Sequence, residues 1–123
     1  MLRPRLEVVI RPNRILVRNM DSGDTGSAEG PFSCEHLLVD DMDILEHVIL
    51  RAFHDLVGRR FWSFPRVFAS TDDRPIHRIE HKFIRDALLN AGASHVSFNE
   101  SVRVMDEQQT ARSAYLERWK RKR

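Results

Sequence analysis

The sequence predicts a layered α/β domain, a mixed five-stranded sheet with helices packed on it, in the order β-β-β-α-β-α-β-α. Two observations carry that prediction. Short β-like runs give way after residue 40 to apolar residues at three- and four-residue spacing, the stripe of a helix packed on one face. Residues 65–100 then form a β-like run, an amphipathic helix and a second β-like run, and such a crossover favours parallel neighbours. The 123 residues, 41% hydrophobic and 31% charged, suit a single soluble domain over 1–123 with its own core.

Taken in order, Leu6–Ile10 and Ile15–Met20 read as strands, with Arg-Pro-Asn-Arg between them as turn chemistry. Residues 21–31, rich in Gly, Ser and Asp, read as a flexible hairpin loop, and Phe32–Val39 as the third strand. Leu45, Val48, Ile49, Ala52, Phe53 and Leu56 mark the first helix. Asp40, Asp41 and Asp43 crowd its start, where a carboxylate caps free amides, and Gly58 is its expected stop. Residues 66–70 give the fourth strand. Asp72 or Asp73 is expected to cap the second helix, with Pro75 in its first turn and Ile76, Ile79, Phe83, Ile84, Ala87, Leu88 and Ala91 on its buried face. Gly92 ends it, His95–Asn99 is the fifth strand, and 106–120 is a third, more polar helix.

Charge is unevenly placed. Residues 1–20 carry five Arg and one Glu, and residues 102–123 carry seven basic and three acidic residues, so each end is +4. An anionic partner would meet the ends, and the tail formed by Arg118, Lys120, Arg121, Lys122 and Arg123 beside Trp119 suits an anionic membrane surface or nucleic-acid phosphates. No apolar run approaches a membrane span or a secretory signal, and the lone Cys34 fits a reducing compartment, so a cytoplasmic location is expected. Cys34 itself reads as a buried strand cysteine.

The predicted element order is that of the ribonuclease-H-like fold, which actin-type ATPases use as a half-domain. Residues 65–100 resemble the first domain of MreB, the bacterial actin homologue. Pro65-Arg-Val matches the start of that family's fourth strand. Glu80-His-Lys-Phe-Ile-Arg-Asp and Ala91-Gly-Ala-Ser-His-Val resemble its helix and following turn, and Glu100 falls at its Ile-Glu-Glu-Pro motif. The match needs one inserted residue near Pro75 and covers about a third of the chain. The family grips ATP phosphates with an Asp-x-Gly-Thr hairpin between its first two strands. This chain has Ile10-Arg-Pro-Asn-Arg14 there, with no glycine or carboxylate, and Pro12 removes an amide donor. The resemblance therefore implies a half-domain without ATP hydrolysis, without a cofactor, and with another protein as its partner, at the cytoskeleton or cell envelope.

Two constellations carry chemistry on paper. His77-x-x-Glu80-His81 has the form of an inverted zincin motif, with two imidazoles one helical turn apart and a carboxylate between. No third ligand is evident in the 42 residues that follow His81, and surface histidines are the plainer reading. Glu80 is the odd member, because the helical phase aims it inward, where it must meet helix-end amides or an arginine. The second constellation follows from the fold: ribonuclease H enzymes hold two Mg²⁺ with carboxylates, and Glu7, Glu46 and Asp72 are the available set for a nuclease reading. Helix capping by Asp72 and a solvated Glu46 are the structural alternatives. The loop Gly23–Gly30 lacks the lysine and the helix of a phosphate-binding loop.

Overall fold

The computed structural model describes residues 4–57, 65–72 and 74–105. Among the described residues there are seven elements: β1 (Arg5–Arg11), β2 (Arg14–Asn19), β3 (Thr25–Glu29), α1 (Met42–Val57), β4 (Arg66–Thr71), α2 (Arg78–Asn90) and β5 (His95–Phe98). They form a small α/β fold with a mixed five-stranded sheet ordered β3-β2-β1-β4-β5. The first three strands pair antiparallel, whereas β4 runs parallel to β1 and β5 parallel to β4. The expected third helix, the expected stop at Gly58 and the basic residues 118–123 lie outside the described residues.

Strand alternation places the core. Leu6, Val8, Ile10, Ile15, Val17, Ala28, Val67 and Ala69 turn to one face of the sheet and are buried. There they meet Leu45, Val48, Ile49 and Ala52 of α1 and Ile84, Ala87 and Leu88 of α2. α1 crosses β2 and β3, and α2 lies beside it and against β5. On the opposite face Glu7, Val9, Leu16, Ser27 and Phe68 are only half-buried. Among the described residues no helix is long and apolar enough to cross a membrane.

The third strand is where the sequence reading fails. β3 is Thr25–Glu29, inside the stretch read as a flexible loop, and Phe32–Val39 forms no strand. Thr-Gly-Ser-Ala-Glu carries no apolar alternation because its inward positions must be small: α1 presses its backbone against them. The predicted strand is instead a folded loop that buries Phe32, Leu38 and Val39. The Phe32 carbonyl accepts the amides of Asp40 and Asp41 at 2.7 and 3.1 Å, and the Ser33 hydroxyl donates to the Leu38 carbonyl. Cys34 is half-buried in this loop rather than in a strand.

The helix boundaries show which caps act. Asp41 Oδ1 accepts the Ile44 amide at 3.0 Å, so the acidic crowd before α1 does supply a cap. At α2 the N-cap lies five residues beyond Asp72, and Asp73, the alternative cap, lies outside the described residues. Asp72 Oδ1 accepts the Arg74 amide at 3.2 Å in a local turn, and the N-cap residue is His77. Ile76 is held in a parallel bridge with Val104, its amide donating to the Arg103 carbonyl at 2.9 Å, and this extended pairing prevents an earlier helical start. Ile79, expected on the buried face, is exposed, because the buried stripe of α2 runs through Glu80, Ile84, Ala87 and Leu88 and leaves Ile79 to one side. Gly92, with φ of +113°, ends α2 as expected, and the Ala93 amide reaches back to the Leu88 carbonyl at 3.1 Å.

Candidate functional site

The three carboxylates of the nuclease reading are not brought together. Glu7 alternates with the buried Leu6 and Val8 and so points away from α1 and α2, to the opposite face of the sheet. There Arg18 Nη2 lies 3.2 Å from its Oε2, across the β1–β2 pair, in a shallow depression of about 420 Å³. Glu46 lies on α1, on the other side of the sheet, and its Oε2 accepts a 3.4 Å contact from Asn90 Nδ2 at the exposed α1–α2 seam. Asp72 holds its turn and faces Arg74 at 3.6 Å. Two metal ions about 3.5–4 Å apart need carboxylates converging on one point, and here the sheet itself separates Glu7 from Glu46. Glu100, the family-matched position, sits on an exposed turn after β5.

The His77–Glu80–His81 motif also dissolves as a ligand set. Among the described residues no three His, Cys, Asp or Glu side chains are placed to hold a metal ion. Glu80 is 1% exposed and points inward, as the helical phase demands. Its Oε1 accepts the His77 amide and its Oε2 accepts the Val39 amide, each at 2.9 Å. One carboxylate thus closes the N-terminus of α2 and pins the 32–39 loop onto it. His77, expected at the surface, is 5% exposed. Its Nε2 lies 4.0 Å from Glu80 Oε1, and among the described residues its Nδ1 has no hydrogen-bond partner.

His81 turns the other way and stacks on Phe98 of β5, ring centroids 3.9 Å apart. Burial pushes its imidazole below the ordinary histidine pKa, and the Arg85 charge adds to the effect. The folded chain therefore binds this proton less readily than the unfolded chain. Stability contributed by the neutral ring is complete above the unfolded pKa of about 6.5 and falls as pH drops through the lower folded value. Thermal unfolding at pH 7.5 and pH 5 should show a smaller acid loss in His81→Phe than in the wild type. An identical loss in both would assign the acid sensitivity to other groups.

The hairpin between β1 and β2 is the most closely specified polar site, and sequence reasoning saw only half of it. Arg11 and Arg14 pair, leaving Pro12 and Asn13 as the turn, with Asn13 in the left-handed region at φ +58°. The tip is tied to the segment after β3. The Asn13 amide donates to Ser33 Oγ at 3.0 Å, Asn13 Oδ1 accepts the Ser33 amide at 2.9 Å, and the Asn13 carbonyl accepts the Gly30 amide at 3.0 Å. Pro12 has no amide, and the amide of Asn13 is already engaged within the chain. The Asn13–Ser33 exchange spans twenty positions and leaves no local mark beyond a turn asparagine.

No protein-family model matches the chain, and no curated protein matches it either.

Proposed function

We propose that the chain is a non-catalytic protein-interaction module, an MreB-like half-domain of ribonuclease-H-like architecture without nucleotide turnover. The observation that carries this reading is the locked β1–β2 hairpin. A phosphate cradle needs free backbone amides at its tip, and here the tip amide of Asn13 is held by Ser33 while Pro12 has none to offer. The sheet order supports the architecture, with a three-strand antiparallel meander followed by two helix-connected strands parallel to β1. The scattered positions of Glu7, Glu46 and Asp72 weigh against a metal-dependent nuclease on the same architecture. On this reading the partner is another protein, at the cytoskeleton or the cell envelope.

Titration with Mg-ATP, followed through backbone amide shifts, tests it. The expected result is no saturable change at residues 10–15 or 30–33. Saturable micromolar binding centred on those residues would overturn the proposal, because the hairpin would then have to release Ser33 to receive phosphate.

A further inference from the structure

The two edges of the sheet are finished differently. At β3, the pairing with β2 and the Gly30 amide donating to the Asn13 carbonyl set the phase, so that Thr25, Ser27 and Glu29 turn their backbone groups outward. Two side chains one turn apart on α1 close that edge. Asp55 Oδ2 accepts the Ser27 amide at 2.9 Å, and Arg51 Nη1 donates to the Glu29 carbonyl at 3.1 Å. A strand arriving there would have to displace both.

At β5, Val67 pairs with Val96, Ala69 pairs with Phe98, and the Asn99 amide donates to the Ala69 carbonyl at 2.8 Å. Ser97 and Asn99 therefore face β4, and Val96 and Phe98 turn their amides and carbonyls outward. Among the described residues nothing hydrogen-bonds those outward groups. His95–Phe98 holds no proline, lysine or bulge to discourage pairing, and the strand is short.

We infer that β5 pairs with β5 of a second copy of this chain, antiparallel about a two-fold axis through Ser97, joining two five-stranded sheets into one of ten. The sequence of the strand suits its own copy. With Ser97 opposite Ser97 of the second copy, Val96 and Phe98 fall opposite one another and exchange backbone hydrogen bonds on both sides of the axis. On the helix face this sets valine against phenylalanine twice, a favourable cross-strand pair. On the opposite face it sets His95 against Asn99 and serine against serine, and beyond the strand Ser94 opposes Glu100. No like charges meet, and a two-fold interface requires this kind of self-complementarity. Four residues a side make a small interface, so the dimer forms reversibly with concentration. The inference rests on the sheet edge alone and stands apart from the question of nucleotide binding.

Sedimentation equilibrium of the full chain over rising concentration is the test. The expected mass rises from 14.4 kDa toward twice that value. Val96→Pro removes an outward amide that the β4 ladder does not use, and a proline is tolerated on that side of an edge strand. The variant should stay monomeric with an unchanged circular dichroism spectrum. If it fails to fold, Ser97→Lys, which opposes two charges at the axis, should likewise halve the mass. Ser97→Cys should form a disulfide dimer on oxidation, because directly opposite residues in such a pair lie about 4.5 Å apart between Cα atoms, within bridging range. Wild-type protein carrying Cys34 is the control. A wild-type mass that never rises overturns the inference. So does a dimer that survives Ser97→Lys, or a Ser97→Cys chain that cross-links no faster than wild type. A monomer that instead binds an added strand-forming peptide at the Val96 and Phe98 amides overturns self-pairing and assigns the edge to a foreign strand.

Discussion

Replacing Gly26 with alanine is expected to destabilise the protein by about 3 kcal/mol, at the upper end of the cost of overpacking a core. Gly26 faces the core near the start of β3, and α1 lies directly on it. An added Cβ would stand 2.6 Å from the backbone nitrogen of Leu56 and 2.8 Å from the carbonyl oxygen of Ala52. Neither is the free end of a flexible side chain, so relief requires moving the last turns of α1. That movement strains the Asp55–Ser27 bond, which seals the sheet edge. Chemical denaturation should show a lower midpoint with an unchanged slope. Gly23→Ala is the matched control. Its φ of +81° disfavours a side chain, but no atom lies within 4 Å of the added carbon, so only about 1 kcal/mol of backbone strain is expected. Equal costs for the two substitutions would mean that α1 does not press on β3 as described.

Glu80→Ala should cost more, about 3–5 kcal/mol, because it removes the acceptor of two buried amides at once. The carboxylate is the acceptor for two amides far apart in sequence, Val39 and His77, and both lose their partner at once. Each orphaned buried donor costs about 1–3 kcal/mol. Glu80→Gln keeps the shape and one acceptor oxygen but turns an NH₂ donor toward one of the same amides, so about 2 kcal/mol is expected for it. The two variants can be read locally as well as globally. Hydrogen exchange at Val39 should accelerate in both, because this amide ties the 32–39 loop to α2. A Glu80→Ala variant within 1 kcal/mol of wild type, with Val39 exchange unchanged, would remove Glu80 from its role as the pin between loop and helix.

Neither site was legible for what it is, although parts of each were. Glu80 stood out in the sequence because a charged residue fell on the inward side of an amphipathic helix, and the structure supplies the helix-end amide that such a residue needs. What the sequence could not show was the second amide, Val39, which reaches Glu80 across 41 positions. The same residue, read by spacing alone with His77 and His81, gave a metal motif. Spacing of four along a helix puts two side chains on one face, but here His77 lies outside the helix as its cap and His81 is drawn to Phe98. The carboxylates Glu7, Glu46 and Asp72 fit a nuclease pattern only while the faces of the strands were unassigned.

The sequence by itself determined the α/β class, both described helices with most of their apolar faces (Ile76 and Ile79 excepted), four of the five strands, and the termination of α2 at Gly92. Each of these follows from local forces: side-chain period, turn residues and dipole-compatible caps act over a few positions and write themselves into composition. Only the tertiary structure decided the position of β3, the start of α2 at Arg78, the locked hairpin at Asn13 and the unequal edges of the sheet. β3 is a strand because β2 offers it a ladder and α1 covers it, not because Thr-Gly-Ser-Ala-Glu favours extension. Phe32–Val39 is a loop, despite its apolar residues, because Glu80 and Ser33 satisfy its backbone in place of a neighbouring strand. In each case a backbone hydrogen bond was assigned by a partner distant in the chain, and such a partner leaves no period in the sequence to read.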